Sequence, residues 1–489
     1  MARSIKKNFL FNSAYQILQV ITPLITTPYL SRVLGPTQNG VFSYTQSITN
    51  YFVLFATLGM SMYGVRAIAQ CGGNKELRSE TFCDAYASQL LVGIIVLVAY
   101  LCYSIFVQIG GLLICAIWSM WVIYAVLDVS WLLFGCEEFR IPTMRSFATK
   151  LTSLAIIFLF VKSEADLWVY VLAIAGSYFV NAILIWPFVH RYVDYARPNP
   201  AKVKEHFLGS VRLFIPVIAV SVYTTLDKIM LGSMSSADQV AFFDYSEKIS
   251  RMPLNIVTAL GTVMLPRMSA ELKQGNREVG MSLLQSSIWV MLAAAFAMSF
   301  GIPAVANEFV PVFFGKGYDA CITIMSIMSV IIPIISTTNV IGKQYLLPSE
   351  RDRQYTISLI LGAAGNAVVN LCLIPQIGAM GAAIGTIVAE TTILIVQVVY
   401  VRHELPLRSY VAGAIPFAII GVMMFAVIRL VGGPLISAMG VTVVCLLLEI
   451  LIGAIFYLAA SLLYCLLSKS KQFKRLFGKY FRRLGVHSE

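Results

Sequence analysis

Apolar residues come in runs of about 20 along nearly the whole chain, separated by short polar connections. At 1.5 Å per residue, a run of that length crosses the roughly 30 Å hydrocarbon core of a bilayer as a helix. The pattern predicts fourteen spans, at roughly 9–30, 41–62, 83–107, 112–134, 146–162, 166–189, 207–231, 246–265, 282–303, 320–342, 355–374, 379–401, 409–430 and 436–467. The period-two alternation of a membrane β-barrel is absent. The expected fold class is therefore all-α and polytopic. The run from Phe9 to Leu30 follows Arg3, Lys6 and Lys7 as a secretory leader would, but no small-residue cleavage signal comes after it. It is expected to stay as the first span.

Polar positions inside the spans fall on faces. Span 1 carries Asn12, Gln16, Gln19 and Thr26, with Pro23 between, in steps of three and four that line one side of a helix. Span 7 carries Arg212, Pro216, Tyr223 and Asp227 on one face, with Lys228 next to Asp227. Span 8 repeats the pattern with Lys248, Arg251, Asn255, Thr258 and Thr262. A charge at mid-bilayer costs about 2.5–3.5 kcal/mol on insertion scales, so such groups are expected to face a protein interior or an aqueous path. Lys248 and Arg251 are expected to contact an anion. Asn12, Gln16, Gln19, Asn50, Tyr223 and Asn255 are expected to line a polar cavity. Asp128 in span 4 and Glu390 in span 12 stand as unpaired acids in apolar runs. With Asp227, they are the candidates for ion coupling, and Glu449 in span 14 is a weaker one.

The chain also repeats itself. Phe42-Ser-Tyr-Thr-Gln-Ser-Ile48 matches Phe243-Asp-Tyr-Ser-Glu-Lys-Ile249, and Leu34-Gly35 echoes Leu231-Gly232. Six spans separate the copies, an even number, so both keep one membrane orientation and form parallel repeats. The repeat sets Ser47 and Asn50 where the second copy has Lys248 and Arg251. The expected organisation is a first lobe at 1–190 (spans 1–6), a cytoplasmic linker at 191–206, a second lobe at 207–403 (spans 7–12), spans 13 and 14 within 404–467, and a basic tail at 468–489. A shared cavity is expected between the lobes, with one neutral wall and one cationic wall.

Composition agrees with the pattern: 58% of the 489 residues are hydrophobic and 12% charged, with a mean hydropathy of +0.80. The net charge of +12 does not point to nucleic acid, because of where the cations sit. With the N-terminus inside, 29 of the 36 Lys and Arg fall on the cytoplasmic side, and Arg32, Lys162, Lys316 and Arg429 fall on outer connections. That bias predicts both termini in the cytoplasm. The tail interleaves seven cations with Phe473, Phe477, Tyr480 and Phe481, a pattern for anionic membrane lipid. The nine cysteines lack metal or disulfide spacing, and His190, His206, His403 and His487 sit in connections or the tail. No catalytic residue, metal site or phosphate-binding loop is read. Gly378-Ala-Met-Gly-Ala-Ala-Ile-Gly385 superficially matches a dinucleotide fingerprint, but at the head of a membrane span it reads as small-residue helix packing.

Four segments carry a family resemblance: Lys7-Asn-Phe-Leu-Phe-Asn12, Pro28-Tyr-Leu-Ser-Arg-Val-Leu-Gly35, Asp227-Lys-Ile-Met-Leu-Gly232 and Ile374-Pro-Gln-Ile-Gly-Ala-Met-Gly-Ala-Ala-Ile-Gly385. Across nearly its whole length the chain resembles the bacterial polysaccharide (O-antigen or capsule repeat unit) flippases, in the superfamily that also holds multidrug extruders and lipid II flippases. The resemblance implies two six-helix lobes in a V around a central cavity, working by alternating access in the bacterial cytoplasmic membrane. It implies a cargo of oligosaccharide repeat units on undecaprenyl pyrophosphate, and no cofactor beyond a proton or sodium gradient. The polysaccharide polymerase machinery would be a partner. The prenyl tail would run along spans 13 and 14. The alternatives are an ion-coupled drug exporter on the same scaffold and a membrane polymerase or ligase acting on the same lipid-linked sugar. The outer connections are short for such an enzyme, and span 1 lacks the carboxylate that drug-extruding relatives commonly use.

Overall fold

The computed structural model describes residues 2–254 and 277–468, with the side chains of 2–17, 20, 215, 216, 219, 220, 222, 223 and 277 excepted. Among the described residues the chain is helical and without strands. Among these described residues, eleven helices are long and apolar enough to cross a membrane. The fourteen expected spans reduce to eleven for three reasons. The first two run together in one kinked helix. The seventh includes side chains outside the described ones. Most of the eighth lies in 255–276, outside the described residues. Helices suit this setting because a bilayer leaves no water to satisfy unpaired backbone groups.

Packing divides the chain into two compact units, Met1–Ala241 and Phe242–Glu489. The first begins with α1 (Ala2–Thr57). Gly35 breaks its helical run at φ 66°, a conformation that glycine adopts without penalty. Asn39 steadies the break by donating its Nδ2 to the carbonyls of Leu30 at 2.9 Å and Gly35 at 2.7 Å. There follow α2 (Met60–Gln70), α3 (Lys75–Val107), α4 (Leu112–Leu127), α5 (Ser130–Gly135), α6 (Arg140–Phe160), α7 (Leu167–Ile183), α8 (Trp186–Val189) and α9 (Pro200–Met234). Lipid tails are as apolar as leucine, so close packing and interhelical hydrogen bonds hold such helices together. Trp118 shows both: it is fully buried against Phe42 and donates its indole N–H to Thr45 at 2.9 Å.

Helix α9, although it follows the linker, packs against α1, α2 and α3. Glycine makes the approach possible. Gly232 faces the ring of Tyr44, Gly209 faces the ring of Tyr63, and a Cβ on Gly59 would come within 3.0 Å of the Phe214 nitrogen. Gly35 and Gly232, matched by the repeat, thus have different roles: one kinks a helix, the other admits a neighbour. The linker is tied to α3 by Lys75–Asp194 (2.7 Å), Lys202–Glu80 (2.9 Å) and the Asn199 N–H donated to Asp84 (2.7 Å). At the start of α9, His206 Nδ1 and the Tyr63 hydroxyl lie 2.8 Å apart. Burial lowers the His206 pKa from its ordinary 6.5, against the opposing pull of Asp84 and Glu205.

The second unit takes up most of α10 (Ala237–Arg251), then α11 (Arg277–Phe313), α12 (Ala320–Met328), and α13 (Ile331–Thr338) with a π-helical turn at Asn339–Leu346. It continues through α14 (Asp352–Ile377), α15 (Ala379–Val401), α16 (Leu407–Met439) and α17 (Val443–Leu467). Helices α14 and α15 form a tight hairpin in which a Cβ on Gly381 would lie 2.6 Å from the Leu373 carbonyl carbon, and Gly385 abuts Asn370. The glycine-rich segment is therefore a packing surface. Helix α16 runs nine residues past the predicted end of its span, to Met439. Arg429, expected on an outer connection, lies inside this helix and pairs with buried Glu308 at 3.1 Å.

Candidate functional site

One cluster of charged groups in the second unit is built on α10. Its repeat motif places Asp244 one turn before Lys248 and Glu247 one turn before Arg251, the i, i+4 spacing that brings opposite charges together on a helix. Lys248 Nζ meets Asp244 at 2.6 Å and lies 5.4 Å above the ring of Tyr245. Arg251 Nε donates to Glu247 at 2.8 Å, and its Nη2 lies 3.6 Å from Glu390 of α15. Lys343 and Tyr355 complete the surroundings of Glu390.

This arrangement changes two expectations. Glu390 is not an unpaired acid, because Arg251 folds back onto it. The expected cationic wall is also a set of ion pairs, with Asp244 and Glu247 buried beneath the cations. Lys248 remains 46% exposed and Arg251 26%, against 3% for Asp244 and 7% for Glu247. The acids hold the cations from below and leave part of each open. Asp244 and Glu247 were legible only as members of the repeat motif; their spacing from Lys248 and Arg251 is the signal that identifies them.

The same helix borders an apolar cavity of about 820 Å³. Ile249 and Pro253 of the α10 segment form part of its wall, and Trp289, Phe417, Met424 and Tyr457 of α11, α16 and α17 form the remainder with their neighbours. The Tyr457 hydroxyl is turned away into a 2.7 Å bond to the Ala293 carbonyl, so the lining stays apolar. Within the second unit, then, a charged cluster adjoins an oily chamber. An amphipathic anion needs that combination, since one end requires donors to replace its hydration and the other requires hydrocarbon.

The first unit has a polar centre of another kind. Asp128 accepts hydrogen bonds from Ser130 and from Tyr124 at 3.4 Å, while Arg145 donates to Ser130 at 2.7 Å and stands 3.6 Å from Asp128. Beside it Gln89 bridges the Ala125 carbonyl (2.9 Å), the Asp128 carbonyl (3.0 Å) and the Trp131 indole (2.9 Å). Asp128 is thus paired as well, contrary to its reading as a lone acid. Asp227 is 1% exposed and acts electrostatically on Tyr51, whose hydroxyl bonds the Ser221 carbonyl at 3.2 Å. Gln19 is exposed and Asn50 half-buried, both in the first unit. The side chains of Asn12, Gln16 and Tyr223, and the whole of Asn255, lie outside the described residues.

Known proteins resemble this chain in sequence and fold. Residues 5–271 match the family described as "Polysaccharide biosynthesis protein". A protein of Escherichia coli (strain K12) named "Putative O-antigen transporter" is 24% identical over 414 residues, covering 82% of this chain and 97% of its own. A protein of the same name from Shigella dysenteriae is 23% identical over 396 residues, covering 80% and 98%. Among solved structures, the lipid II flippase MurJ in an inward closed conformation superposes with a TM-score of 0.78 at 14% identity, over 94% of this chain and 99% of that one. An inward-facing multidrug resistance transporter of the MATE family gives a TM-score of 0.61 at 15% identity, over 80% and 95%. At such identities the structural likeness concerns the fold alone.

Proposed function

Since this chain belongs to the polysaccharide biosynthesis protein family, we propose that it is a flippase for oligosaccharide repeat units linked to undecaprenyl pyrophosphate. It is a multi-pass membrane transporter and not an enzyme. The cargo is loaded at the cytoplasmic face of the bacterial plasma membrane and released in the outer leaflet, with both termini of the chain in the cytoplasm. The lobes at 1–190 and 207–403 alternate in access around the cargo.

One observation carries this reading: Lys248 and Arg251 sit at the end of α10, where Ile249 and, just past the helix, Pro253 wall the 820 Å³ apolar cavity. The open faces of the two cations bind the pyrophosphate or an acidic sugar, for which a guanidinium offers paired, charge-assisted donors. Part of the prenyl chain occupies the cavity between α11, α16 and α17. Asn12, Gln16, Gln19, Asn50, Tyr223 and Asn255 face the glycan hydroxyls. A small drug would fill the chamber without needing the ion pairs beside it, which favours the lipid-linked anion. Deleting the gene and following lipid-linked sugars tests the proposal. Repeat units are expected to accumulate on the cytoplasmic leaflet, and normal outward delivery would overturn it.

A further inference from the structure

Helices α11, α16 and α17 hold a second set of charged groups that this transport path does not use. Glu449 of α17 is 1% exposed, and among the described residues neither of its carboxylate oxygens has a hydrogen-bond partner. The carboxylate points at α16, where a Cβ on Gly432 would lie 2.6 Å from its Oε1; the absence of a side chain there makes room for it. Its charged neighbours are Glu308 of α11 and Arg429 of α16. Arg429 is already committed: Nη1 donates to both oxygens of Glu308, at 3.1 and 3.3 Å, and Nη2 donates to the Pro303 carbonyl at 3.3 Å. The Cys445 thiol, one turn before Glu449, also faces the two acids. The same three helices also share an apolar core that includes Ile428, Leu446 and Tyr457.

The charges here do not balance, since two buried carboxylates share one guanidinium. An ionised carboxylate with neither donor nor free cation is among the costliest groups to bury, whereas the neutral acid is tolerated and gains an O–H to donate. A metal ion would meet the guanidinium's repulsion and an apolar wall. We propose that Glu449 and Glu308, organised by Arg429, form a proton-binding site in which Glu449 holds the proton while Glu308 stays ionised against Arg429. Arg429 and Glu449 lie outside the repeated spans, whereas Glu308 belongs to the second lobe. The site also adjoins the apolar cavity, which Val305, Ile428 and Ile450 help to line. A proton that enters and leaves at this point ties α11, α16 and α17 to the proton gradient.

Infrared difference titration of the purified full-length protein in lipid nanodiscs, without cargo, reads the site directly. The wild type is expected to show a buried protonated carboxyl band at neutral pH that Glu449→Gln lacks, and that sodium ions leave unchanged. Arg429→Gln, by removing the counter-charge of Glu308, is expected to roughly double the band. Gly432→Ala, which crowds the carboxyl, is expected to shift it, and gives a second reading should the glutamine variant fold poorly. A band that survives Glu449→Gln, or that responds to sodium instead of pH, overturns the proposal. Because no cargo is present, that outcome would leave the flippase reading standing.

Discussion

Asp128 and Arg145 of the first unit stand 3.6 Å apart, and so do Glu390 and Arg251 of the second. The surroundings of the two pairs differ. Arg145 is 7% exposed and shares Ser130 with Asp128, and Gln89 and Trp131 close the network. Arg251 is 26% exposed, takes a second acid in Glu247 and lies between Ile249 and Pro253, which wall an apolar cavity. The first pair is sealed among its own helices and works as a strut. The second pair keeps one face open and can exchange protein contacts for those of a ligand. Equal separations therefore say little about role; exposure and the number of competing partners distinguish them.

The largest effect expected from this contrast is on stability. Arg145→Ala leaves Asp128 buried without its cation and should destabilise the first unit by about 3–5 kcal/mol, whereas the paired change Asp128→Asn with Arg145→Gln should cost much less. Thermal unfolding of the detergent-solubilised protein measures this; an unshifted midpoint for Arg145→Ala would show that the pair is not a strut. Next comes activity, read per amount of folded protein because Asp244, Glu247 and Glu390 lose their cations as well. Lys248→Ala combined with Arg251→Ala should lower outward glycan delivery at least about tenfold per folded molecule, the scale of one lost charge-assisted bond. Full delivery by the double variant would remove both cations from the path.

A smaller effect separates the cations from the acids beneath them. Glu247→Gln should free Arg251 and tighten binding of a short prenyl pyrophosphate by about 2–5-fold, in line with a partly exposed ion pair. Weaker binding would mean instead that Glu247 positions Arg251. The smallest effect concerns His206, at the start of α9. Its folded pKa lies below its ordinary 6.5, so the unfolded chain takes up the proton first. Stability is therefore complete above pH 6.5 and falls as the pH drops through 6.5 toward the lowered folded value. His206→Gln, which keeps a polar partner for Tyr63, should flatten that slope in unfolding midpoints taken from pH 8 to 5.

Much of the architecture follows from the sequence alone. In a bilayer every backbone group must be satisfied within its own helix, so apolar runs are nearly a one-dimensional record of the fold. The repeat at Phe42 and Phe243 and the packing face Gly378–Gly385 could be located in the same way, whereas the kink at Gly35 reads in sequence as part of a connection between two spans. The i, i+4 pairs on α10 were within reach too, since Asp244 and Glu247 lie within the repeat motif.

Only the tertiary structure decided which charges meet. Asp128 and Glu390 read as lone acids because their partners, Arg145 and Arg251, lie on other helices. Hydropathy along one helix carries no information about the face of the next. Glu308 and Arg429 are 121 positions apart, and they meet only because α11 and α16 pack together. Glu449, in sequence an isolated acid on the last span, becomes the unbalanced member of a three-charge cluster only when α11, α16 and α17 are brought together. Such clusters are set by packing between distant segments, which the order of apolar and polar residues does not encode.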